Sequence, residues 1–145
     1  MVVLDGYFEE LPMDFITINN VQGAFFAVSY LHSLGYNRIG YLTSKVRTVN
    51  FAERHEGLNK AFKKLGLGKQ QQDTFGLSPS LTEAHQDILA YLDKQTDIPI
   101  AFFADMTFWL PVPCRLLSSA DTAFPKIFLS SGLTIFRFAV CWTPS

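Results

Sequence analysis

The sequence predicts an α/β fold, a parallel sheet flanked by helices, on three observations. Short apolar or β-branched runs recur along the chain: residues 2–4 (VVL), 15–18 (FITI), 39–42 (IGYL) and 99–104 (PIAFFA). Runs of this length bounded by polar or turn-forming residues suit strands buried on both faces. Between them lie longer stretches with apolar residues at three- and four-residue spacing and polar cap residues at their starts. Strands of this kind alternating with amphipathic helices imply a parallel sheet covered on both sides.

The elements follow in order. VVL and FITI are two strands separated by the polar, proline-containing stretch Asp5 to Asp14. Asn19 and Asn20 offer N-cap oxygens to a helix over about Val21 to Leu34, with Ala24, Val28, Leu31 and Leu34 on its apolar side and Gly35 as its stop. Ile39 to Leu42 is the next strand, and a polar loop from Thr43 to Asn50 follows it. Asn50 and Glu53 form an N-x-x-E start resembling a capping box. The helix they open buries Ala52, Leu58, Ala61, Phe62 and Leu65 and ends at Gly66. Ser80 and Glu83 make a second capping box before a helix with Ala84, Ile88, Leu89 and Leu92 on one face. Pro99 to Ala104 closes the series as a strand. The expected order is β, β, α, β, α, α, β, with a further short strand near Asp73 to Phe75.

Composition narrows the function. Charged residues are 17% of the 145-residue chain and the formal net charge is −1, which gives no footprint for gripping nucleic acid. No apolar run approaches the roughly 20 residues of a membrane-spanning helix, and the start MVVLDGYFEE carries acids where a signal peptide carries positive charge. The expected compartment is the cytoplasm. Cys114 and Cys141 lack the spacing of a zinc site or redox pair. His32, His55 and His85 have no partners at metal spacing, so neither metal nor cofactor is expected. Lys60, Lys63 and Lys64 read as a solvated helix face. No Ser-His-Asp arrangement, phosphate loop or paired-acid motif is visible, so the chain is not expected to be an enzyme.

The pattern breaks after Asp105. From Met106 to Ser145 the only acid is Asp121, while both tryptophans, both cysteines and four of the seven prolines fall there. Pro111, Pro113 and Pro125 interrupt any regular element.

The stretch VVLDGYFEELPMDFITINNVQGAFFAVSYLHSLGYNRIGYLTS, followed by AERHEGLNKAFKKLGL and then PIAFFAD, resembles the LacI/GalR family of transcriptional regulators. The carrying features are a strand ending in Asp, a helix ending in LGY-x-RIGYL and R-x-x-G in the following helix. The resemblance covers residues 2 to 105. It implies a partial periplasmic-binding-protein-like type I fold, mostly the C-terminal lobe of a two-lobed sensor. A small effector, a sugar or related polar molecule, would bind between the lobes of an intact homodimeric parent, and DNA would be contacted only through an N-terminal helix-turn-helix that this chain lacks. A sugar-binding protein of an uptake system shares that architecture and is the alternative.

The resemblance also divides the chain into 1–105, a partial effector-binding sensor domain, and 106–145, an aberrant tail. Family members continue past the PIAFFAD strand with N-D. One extra A before the codons of Met106 to Trp109 reads AAT GAC NTT YTG, which encodes Asn, Asp, an apolar residue and Leu. A one-base deletion is therefore the expected origin of the tail, and the match to the family fold is expected to fail beyond Asp105.

Ligands of open α/β sheets sit beyond the carboxyl ends of strands, where Asp5, Thr43 to Asn50 and Asp105 all fall. By resemblance Asp5 matches the acid that accepts hydrogen bonds from ligand hydroxyls. Arg54 matches the arginine of R-x-x-G, whose planar fork suits adjacent hydroxyls or a carboxylate; it is expected near the cleft mouth with its hydrogen bonds reserved for ligand. Asn50 is expected to cap its helix, touch effector, or both. Phe75 falls where family members place an aromatic against a sugar ring, with core packing as its other role.

Overall fold

The computed structural model describes residues 2–4, 10, 12–68, 71–94, 99, 101–106, 126–130 and 137–141. Strands β1 (Val2–Leu4) and β2 (Asp14–Ile16) pair in parallel as a two-stranded sheet. A second sheet has the strand order β4-β3-β5-β6-β7, built from β3 (Ile39–Ser44), β4 (Gln72–Leu77), β5 (Ala101–Ala104), β6 (Lys126–Ser130) and β7 (Arg137–Cys141). The pairs β3–β4, β3–β5 and β5–β6 are parallel, and β7 runs antiparallel to β6. The helices are α1 (Asn20–Ser33), α2 (Val49–Leu65) and α3 (Leu81–Lys94). The parallel sheet with flanking helices is thus the predicted class, and the short strand expected near Asp73 to Phe75 is the six-residue edge strand β4.

Side-chain alternation along β3 separates two cores. Ile39 and Tyr41 join Ala101 and Phe103 under α1 and α2, with Ala24, Val28 and Leu31 from one helix and Leu58, Ala61 and Phe62 from the other. On the opposite face Phe75 meets Tyr91 of α3 edge to face at 5.1 Å and lies 5.9 Å from the Phe102 ring. Where α1 and α2 cross, Gly57 is the contact: a Cβ there would stand 2.1 Å from the carbonyl oxygen of Val21. The glycine of R-x-x-G is therefore required by helix packing. Gly66 ends α2 in the left-handed region at φ 69°, and the Leu67 N–H closes back on the Phe62 carbonyl at 3.0 Å.

The caps correct the sequence reading. Asn19 alone caps α1, accepting from the Gln22 N–H at 2.9 Å. Thr48, not Asn50, caps α2 and accepts from the Phe51 N–H at 3.3 Å. Helix α2 thereby starts one residue before Asn50, and Glu53 is released for a tertiary contact. At α3 the Ser80 carbonyl accepts the first helical bond from Ala84, but Glu83 takes the Ser78 hydroxyl instead of turning back to Ser80.

The sheet also continues past Asp105, where the match to the fold was expected to fail. Strand β6 supplies β5 with a parallel neighbour in the register Ala101↔Ile127 to Ala104↔Ser130. Strand pairing uses backbone N–H and C=O groups, so a β-prone run such as KIFLS can cover an open edge whatever its side chains. The segment between Asp105 and β6, and with it the expected loss of the covering helix, lies outside the described residues apart from Met106.

Candidate functional site

Parallel pairing of β3 and β5 brings their carboxyl ends together, and α1 and α2 deliver their first turns to the same place. The Asp105 N–H, just beyond β5, donates to the Leu42 carbonyl at 2.9 Å and fixes the acid beside β3. Tyr41 Oη and Thr43 Oγ1 lie two residues apart on one face of β3, and each donates to Asp105 Oδ2 at 2.7 Å. Asp105 is only 2% exposed, and its Oδ1 is buried with no hydrogen-bond partner among the described residues.

Arg54 reaches this cluster from the second turn of α2. Its Nε donates to Asn20 Oδ1 at 2.9 Å and its Nη1 to the Asp105 carbonyl oxygen at 2.8 Å. Asn20 in turn donates from Nδ2 to Glu53 Oε2 at 2.8 Å. The Arg54 guanidinium also stands 5.6 Å from the centroid of the Phe51 ring. Three polar side chains from three elements, Asn20, Arg54 and Asp105, are thus buried together at the strand ends.

Burial at so polar a point shifts the acids. Loss of water pushes the Asp105 carboxyl up to about 6, against the opposing hydrogen bonds from Thr43 and Tyr41 and the positive charge of Arg54. Burial, together with the neighbouring Asp105, raises the Tyr41 phenol well above its ordinary range, so Tyr41 stays a proton donor. Burial and the charge of Arg47 lower His55. A guanidinium has five N–H donors, of which two are used internally here. The others have no protein partner among the described residues and suit hydroxyl or carboxylate oxygens.

The predicted residues fare differently. Arg54 is at the strand ends, but its hydrogen bonds are not all held back for a ligand. Asn50 sits one helical turn before Arg54 on the same side of α2 and is half-buried. Phe75 belongs to the core beneath α3, on the sheet face opposite Tyr41 and Arg54, and is not brought together with them. Asp5 lies outside the described residues. Sequence reasoning noticed Asp105 and Thr43 only for their place at strand ends, read Asn20 as a cap candidate, and missed Tyr41. The available signals were a second Asn at a helix start that needs only one cap, and a polar side chain on alternate positions of an apolar strand.

No family model and no curated protein sequence matches the chain. Solved structures do. A LacI-family transcriptional regulator from Enterococcus faecium with bound ribose matches at TM-score 0.74 and 22% identity, over 89% of this chain and 47% of that one. A protein from Actinobacillus succinogenes matches at TM-score 0.75 and 17% identity, over 90% of this chain and 48% of its own. A LacI-family transcriptional regulator from Burkhoderia phymatum matches at TM-score 0.71 and 15% identity, over 84% and 44%. The chain spans about half the length of these structures, and 105 of its 145 residues fall short of the matched share, so the match runs into the segment beyond Asp105. A two-sided parallel sheet with its buried polar cluster at the strand ends gives this chain the fold seen in LacI-family transcriptional regulators, across about half of their length.

Proposed function

We propose that the chain is the ligand-sensing part of a LacI/GalR-type repressor that responds to a sugar or related small polar effector. The observation that carries this reading is the buried cluster of Arg54, Asn20 and Asp105 at the strand ends of a fold shared with a ribose-bound regulator. Its spare guanidinium donors match the adjacent hydroxyls of a sugar, and Asn50 and Asp5 complete the proposed effector contacts. Phe75 contributes through the core and not through sugar stacking. In the intact parent the protein is a cytoplasmic homodimer that contacts DNA through an N-terminal domain, and it is not an enzyme. No helix among the described residues is long and apolar enough to cross a membrane.

The proposal extends to the reading frame: 106–145 is the product of one base lost before the Met106 codon. Two experiments test it. The nucleotide sequence upstream of Met1 is expected to encode a helix-turn-helix; a secretion signal there instead selects an uptake protein. A parent carrying the first lobe and the restored base is expected to melt at a higher temperature with its cognate sugar, because a ligand that binds only the native state stabilises it. The uncorrected chain with the same first lobe is expected to show no rise. Equal ligand-dependent shifts in the two would refute the frame assignment, and no shift with any sugar in either would refute the sensing role.

A further inference from the structure

A cavity lies beside α2, next to the Arg54 cluster. Gly57 turns toward α1, whereas Phe51 and His55, one turn apart, face a cavity of about 160 Å³ beside β3 and β4. Thr43 and Ser44 from the end of β3, Thr74 from β4 and Arg47 from the loop before α2 form the rest of its polar wall. At about 30 Å³ per water it holds some five water molecules, enough for a small polyatomic ion.

The charges around it are unbalanced. None of the residues lining the cavity is an acid. Glu53 is engaged with Asn20, Glu56 with Lys60, Asp73 with Arg38, Asp87 with Lys45, and Asp105 with Tyr41 and Thr43. Arg47 has no carboxylate partner among the described residues. His55, whose ring lies 5.6 Å from that of Tyr41, is held below its ordinary pKa by burial and then by the like charge of Arg47. Ser44 Oγ accepts from the Val46 N–H at 3.1 Å, which leaves its own proton to donate. Donor-bearing residues of β3, β4, the loop and α2 therefore border one small space, and a tetrahedral acceptor can take hydrogen bonds from several directions at once.

We propose that this cavity binds a small tetrahedral oxyanion, phosphate or the phosphate group of a larger ligand. Arg47 supplies the positive charge, and His55, Ser44 and Thr74 the hydrogen bonds. Arg47, His55, Ser44 and Thr74 make none of the hydrogen bonds of the Arg54 cluster, although Thr43 and Phe51 border both, so the site is tested by its own ligands. An anion between Arg47 and His55 relieves their repulsion and favours the imidazolium, so binding raises the His55 pKa.

The test is histidine side-chain NMR on the full chain, titrated with inorganic phosphate against chloride at constant ionic strength, with His85 of α3 as internal reference. The expected result is a saturable His55 shift, a higher His55 pKa in phosphate and no change at His85. Arg47 is exposed, so Arg47→Ala leaves circular dichroism unchanged and weakens phosphate binding by at least about tenfold, roughly 1.4 kcal/mol; Arg47→Lys recovers part of it. Ribose 5-phosphate and ribose distinguish the source. Saturation by inorganic and sugar phosphate alike assigns the site to the free ion, and tighter binding of the sugar phosphate assigns it to a group on a larger ligand. A His55 response that is absent, that follows chloride, that ribose reproduces, or that survives Arg47→Ala at full affinity overturns the proposal.

Discussion

Replacing Arg54 by alanine separates a structural arginine from one held in reserve for ligand. Its guanidinium donates to Asn20 Oδ1 at 2.9 Å and to the Asp105 carbonyl at 2.8 Å, and the residue is 6% exposed. Hydrogen bonds from a charged donor contribute about 1.5–3 kcal/mol each, and truncation leaves two buried acceptors unsatisfied beside an acid that has lost its nearest cation. The expected loss is on the order of 3–5 kcal/mol, a large part of the roughly 5–15 kcal/mol that holds a domain folded. With an m-value of about 1–3 kcal/mol per molar urea, the unfolding midpoint should fall by about 1 M or more. Urea titration followed by circular dichroism without any effector reads this directly. A midpoint within about 0.3 M of the parent would refute the reasoning and restore the view that these hydrogen bonds wait for ligand.

Three further outcomes follow from the same geometry. The folded-state pKa of Asp105, about 6 against an ordinary 3.8, means that its contribution to stability is fully present below about pH 4 and is lost as pH rises through 6. The difference amounts to roughly 3 kcal/mol at about 1.4 kcal/mol per unit; a carboxyl carbon titration of Asp105 with its midpoint below 4 would contradict it. Gly57→Ala should destabilise by about 1–3 kcal/mol or more, because its Cβ meets the Val21 backbone. Gly23→Ala, where a Cβ meets nothing within 4 Å, should instead gain about 0.5–1 kcal/mol, and equal effects in thermal melts would place the helix crossing elsewhere. Phe75→Leu should lower the melting temperature while leaving any effector-induced rise in the frame-restored parent unchanged; loss of that rise would return Phe75 to the binding site.

The sequence by itself determined the order of strands and helices up to Asp105, the helix stops at Gly35 and Gly66, the burial of Ala101 to Ala104 and the likeness to LacI-family regulators. Those signals are local. Hydrophobic period, cap chemistry and glycine at positive φ act within one or two turns, so they survive without knowledge of the rest of the chain. Even the caps became ambiguous where two candidates stood side by side: Asn19 and Thr48 took the roles, and Asn20 and Glu53 were left for tertiary bonds. Tertiary structure alone decided the site. Arg54 meets Asn20 across 34 residues and Asp105 across 51, and Tyr41 meets Asp105 across 64. Those distances close only because β3 and β5 pair in parallel in one register and because Gly57 lets α2 approach α1. Alternation along β3 likewise sent Tyr41 toward Asp105, and the pairing of Phe75 in β4 with Leu42 put it on the opposite face, under α3. A period of two in the sequence announces that there are two faces, but only packing of the helices decides which one carries the polar cluster.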